Sequence, residues 1–220
     1  MQAVYPLVTS LVALLFGVLV FLQYRQRRGI HQLVWGIALL IFAFAAFCEF
    51  YSEVWGWLVG LYRVYYVAAA ALVAYLGLGT VYLIWKRRAG DVCLGVALVL
   101  TTAMAVAALR AEVDTTALVP GVTVAGRAMP SSVRMLSPML TVPGSLALIG
   151  GAVQSAWLFR RNRAYSHRVI ANVLIAAGAL VIAGAGALAR FGGTGLLYPA
   201  EMVGIIVMFL GFTRAGTIRK

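Results

Sequence analysis

Apolar residues in this chain come in stretches of about 20, the length a helix needs to cross a bilayer core of roughly 30 Å. Short clusters of Arg, Lys, Gly and Pro separate them. Seven spans are predicted, near 3–23, 33–54, 61–85, 91–110, 139–159, 168–189 and 196–213. The third is long enough to tilt. The expected fold class is therefore all-α: a polytopic membrane protein whose residues 1–220 form one seven-helix transmembrane domain.

Composition narrows this further. With 63% hydrophobic and 11% charged residues and only 2 Cys, the chain does not read as a collagen, coiled coil, disordered tail or disulfide scaffold. A net charge of +12 would point to nucleic acid in a soluble domain. Here the bases sit in short runs between apolar spans, where they set orientation instead, so no nucleic-acid partner is expected. Arg25, Arg27, Arg28, Lys86, Arg87, Arg88, Arg160, Arg161, Arg163, Arg168, Arg214, Arg219 and Lys220 follow the odd-numbered spans. Only Asp91 accompanies them, whereas Arg63, Arg110, Arg127, Arg134 and Arg190 are matched by five acids on the other side. The positive-inside rule then puts the N-terminus outside and the C-terminus inside, with anionic lipid headgroups as partners of the cytoplasmic face. The location implied is a bacterial or archaeal plasma membrane. The first span has no basic flank before it and Arg residues after it, the pattern of a retained helix. Cys48 and Cys93 fall toward opposite ends of their spans, too far apart for a disulfide.

The chain also resembles itself. Ser10-Leu11 through Arg28 lies over Ser145-Leu146 through Arg163 at an offset of 135, and at 136 His31 lies over His167 and Leu61-Tyr62 over Leu197-Tyr198. The implied organisation is a parallel 3+1+3 pseudo-repeat: a first unit over about 3–88, a linker helix over 91–110, an outer loop over 111–138 and a second unit over 139–220. That topology is similar to the sugar-exporter and PQ-loop transporters, but no Pro-Gln pair is present. Nor does the seventh span carry a Lys for a retinal Schiff base. No family follows from the residues.

Charge inside a span needs a partner or a task. Glu49 and Glu53 stand one turn apart on the second span, Arg63 starts the third at a similar depth, and Glu201 follows Pro199 on the seventh. Tyr62 and Tyr66 share a face close to Arg63. The expectation is an outward-facing polar site of Glu49, Arg63 and Glu201, with Glu53, Tyr62 and Tyr66 around it. The competing reading is a packing clamp in which Arg63 pairs with the acids. The Gly and Ala residues of 176–187 are expected to allow close helix contact. Helix 5 is expected to begin about Pro143-Gly144 and to bend. The outer loop, with Pro120, Pro130 and Pro138, is expected to be a lid, a partner surface or mobile, its apolar run 118–124 lying on the membrane or over the bundle mouth. His31 and His167, among Arg residues, read as solvated histidines, and neither a metal nor another cofactor is expected.

Three functions remain open. The first is a small transporter or channel for an ion or zwitterionic solute. The second is a receptor, sensor or accessory subunit working through a homo-oligomer or another membrane partner. The third is an intramembrane enzyme using paired carboxylates, for which no nucleophile or metal set is found.

Overall fold

A computed structural model describes residues 2–119, 123–161, 166–190 and 193–216. Pro120, Arg163, Arg219 and Lys220 lie outside the described residues, as do the side chains of Arg160, Arg161, His167, Arg168 and Arg190. The protein is all-α, with no strand among the described residues. Its long helices are α1 (Val4–Arg27), α2 (Ile30–Trp55), α3 (Val59–Ile84), α4 (Arg87–Arg110), α6 (Leu136–Arg161), α7 (Ser166–Arg190) and α8 (Leu197–Gly216). A short α5 (Ser131–Arg134) precedes α6. Seven of the described helices are long and apolar enough to cross a membrane, which makes this an integral membrane protein by architecture. The physical reason is that a backbone in lipid has no water to bond, and a helix satisfies every amide internally.

The turns are short because the chain ends each helix sharply. Arg28 takes a left-handed φ of 55° and its N–H returns to the Tyr24 carbonyl, so α2 starts two residues later. Gly56, at φ 85°, closes α2 in a conformation that a side chain would strain.

Helices α1, α2, α3, α6, α7 and α8 form a ring in that order, with α8 returning to α1, and α4 leans on the outside of α3. Neighbours within each hairpin run antiparallel. In α1 and α2, Ser10 Oγ donates to the Ala43 carbonyl, and nearer the turn Phe21 lies over Gly36. The α3–α6 seam is parallel, Gly144 meeting Val73 and Gly77 while Gly151 meets Thr80 and Ile84. A Cβ on Gly77 would collide with the Gly144 carbonyl oxygen, so paired glycines allow that approach.

Two expectations change here. Helix α6 begins at Leu136 and runs through Pro143, so the proline lies inside the helix and leaves the turn before it one hydrogen bond short. The small-residue stripe of α7 divides in two. Gly178 packs against Gly204, but Gly184 and Gly186 have nothing within 4 Å of where a Cβ would be. Gly186 borders a cavity, and Gly184 is exposed on the outside of the bundle.

Candidate functional site

The ring encloses a cavity of about 670 Å³ at the end that carries the 111–135 segment, called here the loop end. The opposite, basic end carries Arg25, Arg27, Arg28, Lys86, Arg87, Arg88 and Arg214. Three helices supply the polar part of the cavity wall. Glu49 of α2 is 2% exposed, and its Oε1 accepts a hydrogen bond of 2.6 Å from the Tyr65 hydroxyl of α3. Glu201 of α8 brings its carboxyl within interaction range of Glu49. Glu49 Oε2 is sealed from solvent and is reached by no hydroxyl or amide among the described residues, so the Glu201 carboxyl is the polar group that faces it. Two carboxylates facing each other in an apolar wall repel unless a proton or a cation lies between them.

Local sequence explains the arrangement. Tyr62, Tyr65 and Tyr66 recur at i, i+3 and i+4, so all three rings lie on the inner face of α3, where each is buried. Trp57, in the short α2–α3 link, stacks against Tyr65 with ring centroids 4.9 Å apart and holds that ring in place. Ser52 turns its hydroxyl back to the Glu49 carbonyl, a bond within α2 that leaves the carboxyl aimed inward.

The expected set is therefore only partly brought together. Glu49 and Glu201 meet. Glu53, one turn nearer the loop end, is partly exposed and lies within electrostatic range of the Tyr198 hydroxyl. Tyr66 lines the cavity beneath Gly126. Tyr62 is fully buried but donates to the Ala125 carbonyl at 2.8 Å, holding the segment between α4 and α6 instead of a carboxyl. Arg63 is elsewhere. Its Nη2 donates to the Ala111 carbonyl at 2.8 Å, its Nε is buried without a partner, and it lines a separate apolar groove of about 860 Å³ between α2, α3 and α4. Depth was shared but face was not: two residues along a helix is about 200° of rotation, so Arg63 points away when Tyr65 points in.

Tyr65 and Tyr198 are the site residues that the sequence reading missed. A signal existed. The offset of 136 that lays Tyr62 over Tyr198 also lays Tyr65 over Glu201, so each polar residue had a counterpart on the other helix.

The segment between α4 and α6 is built into the bundle over its described residues. The Tyr198 hydroxyl bonds with Thr123, the Asp114 amide donates to the Ala128 carbonyl, and Val124, Ala128, Met129 and Val133 are buried. It forms a fixed cap over part of the mouth, with Arg127 and Arg134 exposed on the cavity's rim. At the other end of the cavity, Leu76, Leu148 and Met208 form a floor. The same three residues roof a pocket of about 80 Å³ toward the basic end, lined by Phe16, Thr80, Gly151, Ser155, Asn172 and Phe212 among others. No protein-family model matches the chain, and no curated protein or solved structure matches it.

Proposed function

We propose that the protein is a small membrane carrier that binds a proton or cation between Glu49 and Glu201, and that this conformation is open toward the loop end and closed below. The single observation that carries the reading is Glu49 itself. A carboxyl that is 2% exposed, with a second acid as the group facing it, at the wall of a 670 Å³ cavity, is costly unless a proton or cation is held there. A packing clamp would have sealed that volume and paired the acids with Arg63.

The floor supports a carrier in preference to an open channel. Leu76, Leu148 and Met208 come from α3, α6 and α8, and nothing polar links the cavity to Thr80, Ser155 and Asn172 beyond them. An ion would have to wait for that apolar plug to part. The ring order supports two triplets, α1–α3 and α6–α8, that rock about the cavity, because the α3–α6 and α8–α1 seams then occupy equivalent places. The charge distribution supports an inner basic end and an outer loop end.

The test is counter-ion or proton flux in proteoliposomes. Glu49→Gln, which keeps the shape and removes the charge, is expected to reduce flux by two orders of magnitude or more while the thermal unfolding transition is retained. Flux at the wild-type rate in that variant overturns the carrier.

A further inference from the structure

We propose that the cavity takes an amphiphilic organic cation out of the membrane, through a side window between α6 and α7. This rests on the carrier reading and names its substrate class. Apart from Glu49, Glu201 and the two rim arginines, the lining is mostly aliphatic or small: Phe42 and Leu72 on one side, Ile149 and Ile182 on the other. A metal ion or small hydrated solute gains nothing from such walls. A cation with hydrocarbon or aryl groups fits them, its charge neutralised at the carboxyl pair about 9 Å in from the end of α2.

The window lies on the α6–α7 flank of the ring, toward the loop end. On α6, Val142 and Leu146 line the cavity and are also 47% and 69% exposed. Opposite them on α7, Ala187 lines the cavity and is exposed, and Gly186 has open space where a side chain would stand. Nearer the basic end each of these helices packs on its other neighbour, Gly151 of α6 against Thr80 of α3 and Gly178 of α7 against Gly204 of α8. The slit thus opens on the apolar flank of the bundle, which a membrane would bathe. Hydrocarbon moving through it exchanges lipid contacts for protein contacts of the same kind, with no dehydration cost.

Charge placement favours that route over the aqueous mouth. Arg127 and Arg134 on the rim repel a cation arriving from water, although exposure and salt weaken them. The two acids lie beyond them on the wall. A lipid-dissolved cation reaches the acids without passing the arginines.

The test uses protein in nanodiscs and two probes, tetraphenylphosphonium and tetramethylammonium, with empty nanodiscs subtracted for partitioning. Saturable binding near one tetraphenylphosphonium per chain, at least tenfold tighter than tetramethylammonium and lost in both Glu49→Gln and Glu201→Gln, is the expected result. Trp57 beside Tyr65 provides a stopped-flow fluorescence signal that Trp57→Phe should remove. Gly186→Phe, which fills the window, should slow association of tetraphenylphosphonium at least fivefold more than that of tetramethylammonium. Equal affinity for the two probes overturns the amphiphile, and equal slowing overturns the side route. If neither probe binds while Glu49-dependent flux persists, this inference falls and the carrier stands. If that flux is absent as well, both fall.

Discussion

On the α2–α3–α8 side of the cavity the large side chains are sealed against one another, Glu49, Tyr62, Tyr65 and Tyr198 all lying at 5% exposure or less. On the α6–α7 side Gly186 stands in open space. The α6–α7 wall is the richer of the two in glycine and alanine, so small side chains alone do not close a seam in lipid. They close it where a backbone or ring of the neighbour fills the place, as Gly144 does for Gly77 and Trp35 does for Gly79. Elsewhere they leave a helix free to shift. The rigid wall holds the charge, and the other wall borders open volume.

The largest effect should come from putting the same residue into each wall. Gly77→Leu forces a side chain into the Gly144 backbone and should destabilise the bundle by about 3 kcal/mol or more, since the α3–α6 seam cannot move apart without opening the ring. Gly186→Leu meets nothing and should change stability by less than about 0.5 kcal/mol. Thermal unfolding in one detergent measures the pair. Equal losses would erase the distinction between the walls.

Within the rigid wall, Tyr65→Phe removes the hydroxyl that donates to Glu49 Oε1 and leaves that buried oxygen without its donor. A bond to an ionisable group is worth about 1.5–3 kcal/mol. Flux or tetraphenylphosphonium affinity should therefore fall about tenfold or more, with the fold kept. Tyr66→Phe, on the same face but against Gly126, should cost distinctly less. If the two variants behave alike, Tyr65 is only one aromatic among several.

The cap joins the walls, and its anchor is weaker. Tyr62→Phe loses one bond to the Ala125 carbonyl, worth about 1 kcal/mol, while the ring stays in the aromatic cluster. Trypsin should then cut after Arg127 several times faster than in the wild type, with cleavage elsewhere unchanged. An unaltered rate would mean that burial of Val124 and Met129 holds the cap by itself.

Most of this architecture was legible before the structure because the bilayer makes length and charge decisive. The stretch 33–54 could be read as a span, and α2 covers Ile30–Trp55, since charged and glycine boundaries leave little choice. Glu49 and Glu201 could be found because a carboxyl in a span is rare. What could not be read was rotation. Arg63 has the right depth, but its face is set by where α4 leans, and hydropathy carries no phase when both flanks of a helix are apolar. The α7 stripe failed for the same reason: Gly178 and Gly186 are alike in sequence and differ in what stands opposite.

The smallest effect expected is one of pH on the cap. Asp114 begins the turn Thr115–Ala117, its Oδ1 accepting from the Thr116 hydroxyl at 2.6 Å and from the Thr116 amide at 3.0 Å. Those bonds hold its carboxyl below the ordinary value of 3.8, with the hydroxyl contributing first. A depressed carboxyl adds stability that is fully present above its unfolded-state value and is lost as pH falls through the folded-state value. Cap opening should therefore be flat from pH 7 to 5 and rise only below 3.8, where the proton displaces the turn's acceptor. Because Asp114 is fully exposed, the rise should be less than about twofold in hydrogen exchange of the Thr116 and Ala117 amides. Asp114→Asn keeps a neutral acceptor and should remove the pH dependence without opening the cap. A variant that titrates like the wild type would move the sensitivity from the cap to the acids of the rigid wall.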